Sequence, residues 1–257
     1  MTNSMILGLA IVSGAGIGSL LNVVIYRLPR MITQQEPGIF NLWLPRSHCP
    51  CCRTTLAWYD NIPLFSWIRL RGRCRYCAQR ISWRYPCIEL CCSLSYLLLA
   101  LLLPAEVLPA AWLLVAFLLA LSLIDITHLL LPDALTLSLL WLGLALQIGG
   151  YLPAISLQDS VIGAMSGWLS LWLIARSYHY LRGKEVLGMG DAKLLAALGV
   201  WLGWQALPQL LVLACVGTLL GLVLTYLLFR RPLYRPFPFG PGLASAGLLL
   251  FVQQNML

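Results

Sequence analysis

Residues 109–126 read PAAWLLVAFLLALSLIDI, an apolar run with no charge before Asp125. Similar runs fall at 5–26, 88–103, 133–150, 159–176, 192–206, 208–228 and 239–254. Pro104, Pro109, Pro132, Pro153, Pro208, Pro236 and Pro238 punctuate them, as prolines do at helix ends. Each bilayer crossing takes ~20 apolar residues. The chain is 60% hydrophobic and 10% charged, with a mean hydropathy of +0.83, more apolar surface than a soluble domain uses. The expected fold is an all-α polytopic membrane protein with eight transmembrane helices, one for each run. The leading apolar stretch lacks a basic start and a convincing small-residue cleavage site, so it reads as a retained span.

The 17 Lys and Arg residues fall in three stretches: ten in 27–84, four in 176–193 and three in 230–235. Cytoplasmic loops of membrane proteins carry such an excess. The net charge of +8 therefore reflects topology, and no nucleic-acid partner is expected. If all three stretches are cytoplasmic, eight spans leave no base outside and place both termini outside. Asp125 and Asp191 then lie on the same, cytoplasmic side. The expected organisation is a first helix over 1–27, a cytoplasmic loop domain over 28–86 and a seven-helix core over 87–257.

The loop domain holds Cys49-x-x-Cys52 and Cys74-x-x-Cys77. Paired C-x-x-C motifs at this spacing suit a tetrahedral structural zinc, whose binding supplies folding energy to a domain too small for a strong core. Disulfides are disfavoured on the cytoplasmic side. Cys87, Cys91, Cys92 and Cys215 read as small buried hydrophobes. Between the pairs, residues 58–67 (WYDNIPLFSW) are strongly aromatic. They are read either as packing on the zinc knuckle or membrane interface, or as a substrate or cofactor surface. The histidines His48, His128 and His179 form no pattern that suggests a metal or base role.

Acids in apolar spans are costly and are functional candidates by default. Asp133, Asp159 and Glu89 read as helix-start residues, where an acid offsets unpaired N–H groups. Glu36, Asp60, Glu106 and Glu185 fall in loops. Asp125 ends its run, where no cap is needed. Asp191 follows Gly188-Met189-Gly190, whose glycines permit a tight turn. Two close carboxylates share a proton. The ionised one can activate water while the protonated one polarises a carbonyl and protonates the leaving amine. Four thiolates leave zinc no open position, so the metal is not the catalyst.

These elements resemble the type IV prepilin peptidases. The resemblance rests on residues 18–29 (GSLLNVVIYRLP), the four cysteines with Asn61-Ile62-Pro63 between them, Arg84-Tyr85-Pro86 with Glu89, Asp125 with Leu131-Pro132-Asp133, residues 188–194 (GMGDAKL), and residues 238–241 (PFGP). It implies a bacterial inner-membrane aspartic peptidase of pilus or type II secretion systems. Asp125 and Asp191 would be the catalytic pair, with Gly188 and Gly190 supporting the second. Prepilins or pseudopilins would be the substrates, cut at the cytoplasmic face. The intact four-cysteine loop further implies N-methylation of the new N-terminus from S-adenosylmethionine. No Gly-rich dinucleotide-type motif shows where that molecule binds; Gly72 and Asn61-Ile62-Pro63 are the places to look. Two other readings, a proton-coupled transporter and a non-enzymatic docking protein, explain the membrane acids and the zinc knuckle respectively, but not both.

Overall fold

The computed structural model describes residues 3–33, 41–183, 188–229 and 236–256. Glu36, Lys184, Glu185, Arg230, Arg231 and Arg235, which enter the charge and loop readings above, lie outside them. Among the described residues the chain is all-helical: α1 (Asn3–Thr33), α2 (Phe65–Arg69), α3 (Arg84–Leu102), α4 (Leu108–His128), α5 (Asp133–Ile148), α6 (Leu157–Arg182), α7 (Met189–Leu202), α8 (Leu207–Phe229) and α9 (Gly240–Met256). All but the short α2 fall on the expected apolar runs. Four stretches are long and apolar enough to cross a membrane: 4–33, 84–102, 108–128 and 204–228. Of the others, α5, α7 and α9 are shorter, with 16, 14 and 17 residues. The 26-residue α6 is more polar.

The chain divides into two compact units, Met1–Leu102 and Leu103–Leu257. In the first, α1 packs on α3 through small residues. A Cβ built on Gly14 would lie 2.7 Å from Ser93 Cα, and one on Gly18 would lie 2.6 Å from Glu89 Cα. Four residues up one helix match four residues down the other, so the pair is antiparallel. Without a hydrophobic drive between helices in lipid, such close backbone approach supplies the packing. Ser93 Oγ adds a 2.9 Å hydrogen bond to the carbonyl of Ile11.

In the second unit α7 is the centre, packed on α5, α6 and α9. Every residue from Leu194 to Leu202 is buried, which is why this helix is apolar on all sides. Gly163 of α6 and Gly199 of α7 meet backbone to backbone, and a Cβ on either would clash. Trp201 fixes α7 to α5 by donating Nε1–H to the Leu139 carbonyl at 3.0 Å. By contrast, α8 exposes Val212, Leu219, Leu220, Val223, Leu224 and Leu227, an apolar face suited to lipid.

Two sequence expectations are corrected here. Of Cys87, Cys91, Cys92 and Cys215, only Cys92 is buried in protein; the other three are exposed on apolar helices, where a thiol needs no protein neighbour in lipid. Glu89 does not open its helix: α3 begins at Arg84, which puts Glu89 inside it and buried. The tight turn expected before Asp191 is present, closed by the Asp191 amide on Gly188 O at 3.1 Å, and it needs no left-handed backbone. Gly188 caps α7 with φ −69° and ψ 133°, and Gly190 is not among the residues of positive φ. What requires a glycine at 190 is space, as described below.

Candidate active site and metal centre

The metal candidate is built from two copies of one local structure. The Cys49 amide donates to Thr54 O at 3.0 Å, and Arg53 N–H returns to Cys49 O at 2.9 Å. Twenty-five residues on, Cys74 N–H donates to Gln79 O at 2.8 Å, and Ala78 N–H returns to Cys74 O at 3.0 Å. Arg53 and Ala78, each just after the second cysteine of its pair, both take φ +56°. A left-handed residue there closes each knuckle around its sulfurs, at a cost of about 1–2 kcal/mol.

The thiol sulfurs of Cys49, Cys52, Cys74 and Cys77 all lie within 4.8 Å of one another, and Cys49 Sγ is 3.7 Å from Cys77 Sγ. A tetrahedral zinc with bonds of ~2.3 Å sets its sulfurs ~3.8 Å apart, so the geometry fits. All four cysteines are free thiols. Hydrogen bonds from the Thr54 side chain and backbone pull the Cys52 thiol down to about 6. Cys77 feels the Gln79 amide pulling it down, but desolvation and the neighbouring thiols outweigh that and push it up to about 12. Backbone hydrogen bonds from Cys77 and Tyr76 pull the Cys74 thiol down as well, toward the thiolate form that binds a metal.

Polar side chains on α1 and α3 tie this loop to the helix pair. Buried Arg27 donates to Asn41 O at 3.0 Å and to Pro45 O at 2.7 Å. Within the pair itself, Asn22 Nδ2 of α1 donates to Tyr85 O of α3 at 3.2 Å. Glu89 Oε2 accepts the Leu64 amide at 2.8 Å. The aromatic stretch forms a 3-10 turn over Trp58–Asn61 and then α2. Trp67 stacks obliquely on Trp83 at 4.2 Å, with Gly72 pressed against its indole. Arg75 pairs with Asp60 and lies over the Tyr59 ring. Phe65, Ile68 and Trp83 nonetheless stay exposed, so packing accounts for only part of this segment.

The second candidate lies in the other unit. Asp125 is buried in the last turn of α4, which ends when Leu129 turns left-handed and donates to Asp125 O at 2.9 Å. The chain then runs extended to Pro132, the N-cap of α5. Gly240, at the start of α9, donates its N–H to Asp125 Oδ2 at 2.8 Å. Asp191 lies in the first turn of α7, partly exposed, its amide bonded to Gly188 O at 3.1 Å. Leu131 joins the two aspartates' surroundings. A Cβ on Gly190 would lie 2.8 Å from Leu131 Cβ, and one on Gly240 would lie 3.2 Å from Leu131 Cδ2 and 2.7 Å from Asp125 Oδ2. Beside them Lys193 bridges to Asp133 with Nζ 2.6 and 2.7 Å from its two oxygens. Gly240 was quoted in the sequence motif without a role; its amide bond to Asp125 supplies one.

Residues 12–103 match the model of the bacterial peptidase A24 N-terminal domain, and 112–231 match that of the type IV leader peptidase family. A curated relative from Pectobacterium carotovorum subsp. carotovorum, named prepilin leader peptidase/N-methyltransferase, is 50% identical over 92% of this chain and 89% of its own length. Relatives of the same name from Dickeya chrysanthemi and Burkholderia pseudomallei (strain 1026b) are each 45% identical, over 92% and 96% of this chain and 88% and 85% of their own lengths. The chain belongs to the type IV leader peptidase family. No solved structure matches it. The two family models fall one on each compact unit, the zinc-site candidate in the first and the aspartates in the second.

Proposed function

We propose that this chain is a membrane-embedded aspartic endopeptidase. It removes the short basic leader of type IV prepilins or pseudopilins and N-methylates the new N-terminal residue from S-adenosylmethionine. The observation that carries the peptidase reading is that Leu131 lies against both Gly190, next to Asp191, and Gly240, which holds Asp125. The two aspartates come from the end of α4 and the start of α7, in the unit that matches the leader peptidase family.

In this reading the pair holds one proton between two carboxylates, because two like charges at close range do not both ionise cheaply. The ionised aspartate takes a proton from a water molecule, which attacks the scissile carbonyl. The protonated one hydrogen-bonds the carbonyl oxygen and then protonates the leaving amine. The Gly240 amide fixes Asp125 Oδ2 and leaves its other oxygen for water or substrate. Gly188 and Gly190 support Asp191, the second by letting Leu131 sit against the turn.

Zinc is the metal that Cys49, Cys52, Cys74 and Cys77 suit, in a structural role that organises the loop. S-adenosylmethionine supplies an electrophilic methyl group. Methyl transfer is assigned to the first unit, because the intact four-cysteine loop that the family resemblance links to methylation lies there. The topology that fits the charge pattern has eight spans in the bacterial inner membrane, the zinc loop and aspartates on the cytoplasmic face, and both termini periplasmic. In vitro processing of a prepilin, followed by mass spectrometry for leader loss and methyl gain, tests both activities.

A further inference from the structure

The stretch between the cysteine pairs keeps an apolar side that the first unit does not cover. In α2, Phe65 and Ile68 lie three residues apart, on one side of the helix, and are 58% and 67% exposed. Trp67 of the same helix stacks on Trp83, which is itself 68% exposed at the residue before α3. Exposed apolar side chains grouped in this way mark a surface that meets a partner or a membrane. The charge around them is of one sign. Residues 41–83 carry seven arginines, and their one acid, Asp60, is paired with Arg75. Arg69, Arg71 and Arg84, which flank the apolar side chains in sequence, are exposed and in no ion pair among the described residues.

One bond sets the height of α2 along α3. Leu64, the residue before α2, donates its amide to Glu89 Oε2 at 2.8 Å. Glu89 is the sixth residue of α3, a helix long and apolar enough to cross a bilayer. The 19 residues of α3 rise about 28 Å, close to the ~30 Å of a hydrocarbon core, so its first turns lie at the boundary with the headgroups. The start of α2 is held beside that boundary and not out in the water above it. An apolar helix side at this depth buries between headgroups and acyl chains. Tryptophan is favoured there, and arginine meets the phosphates of anionic lipid. On α3 itself Leu90, Leu94 and Leu98 are exposed too, a face that lipid suits.

We propose that α2 and Trp83 anchor the four-cysteine loop to the membrane surface. Phe65, Ile68 and Trp83 insert at the headgroup boundary, and the flanking arginines lie on the phosphates of anionic phospholipid. The anchor gives the loop a third hold on the bilayer, besides α1 and α3. A basic prepilin leader does not suit this surface, because like charges repel.

The test uses the full chain in lipid nanodiscs made of equal parts anionic phosphatidylglycerol and zwitterionic phosphatidylcholine. The photo-crosslinker benzoylphenylalanine replaces Phe65, Ile68 or, as a control, the exposed Gln79 of the second knuckle. Bound zinc equal to that of the unlabelled protein shows that the loop is folded in each. After irradiation, mass spectrometry maps the adducts and tells the two lipids apart. Lipid adducts at positions 65 and 68 should exceed those at 79 by roughly tenfold, as insertion of the apolar side implies. The anionic lipid should be over-represented among them, and that excess should shrink in high salt and in the Arg69→Gln, Arg84→Gln protein. Equal lipid yields at 68 and 79 would overturn the proposal. So would adducts to residues 103–257, or to an added prepilin, in place of lipid. Adducts that contain the two lipids in their mixing ratio would remove anionic phosphate as the partner and contradict it equally.

Discussion

Gly240 donates its backbone N–H to Asp125 Oδ2 at 2.8 Å, across 115 residues of chain. That bond ties the start of α9 to the last turn of α4, and it leaves no room for a side chain. A Cβ at 240 would stand 2.7 Å from the same carboxylate oxygen. The Gly240→Ala variant should therefore displace Asp125, and a displacement near 1 Å costs on the order of 10²-fold in rate. Single-turnover cleavage of a prepilin by this variant, with retained thermal stability as the control, checks it. Wild-type rates would show that Asp125 tolerates movement.

Gly190→Ala should have a related but distinguishable effect. Its Cβ meets Leu131 Cβ at 2.8 Å, so it pushes the α4–α5 connection rather than a carboxylate. Leu131 is a flexible side chain only beyond that atom, so part of the strain reaches the backbone. The expected cost is about 1–3 kcal/mol in stability, with slower cleavage. Removing that atom in the double variant Gly190→Ala, Leu131→Gly should restore part of both. Melting temperature and cleavage rate, compared across the three variants, decide it.

The sequence made the helices and the four cysteines legible because each depends on local pattern. Apolar runs and prolines marked the eight long helices, and C-x-x-C spacing marked the sulfur cluster. Asp125 and Asp191 stood out as acids that capping did not fully explain. Glu89 was misread because its position six residues into α3 depends on where the helix begins, and Arg84-Tyr85-Pro86 gave no boundary signal. The reason for Gly190 was hidden for another cause. A close approach to Leu131, far away in sequence, leaves no local trace. Nor does composition tell whether an apolar helix buries a cysteine in protein or turns it to lipid, as Cys91 and Cys92 show side by side.

Removing the metal should separate the two units' activities. Cys49→Ser or Cys74→Ser should lower bound zinc and open the loop to proteolysis at its arginines, since ligation supplies folding energy there. Methyl transfer should fall with it. Leader cleavage should outlast chelation, because the proposed peptidase chemistry uses no metal. Metal analysis beside both assays checks this; rapid and complete loss of cleavage with a chelator would point to metal-centred hydrolysis.

The Lys193–Asp133 bridge links the first turns of α7 and α5 beside the aspartates. Its side chains are 29% and 58% exposed, so solvent screens it. Lys193→Met or Asp133→Asn should cost no more than about 1 kcal/mol in stability. The charge-swapped pair, Lys193→Asp with Asp133→Lys, should recover part of that. Unfolding midpoints at low and high salt test the pair, with the difference shrinking as salt rises.

The central claim is that Asp125 and Asp191 act together on the scissile bond. Its most direct test is prepilin cleavage by purified wild-type, Asp125→Asn and Asp191→Asn proteins, each verified as folded and zinc-loaded. Loss of cleavage in both variants, with methylation of a pre-cleaved pilin retained, is the predicted result. Cleavage that persists in either variant would contradict the pair and return the membrane acids to a transport or structural role.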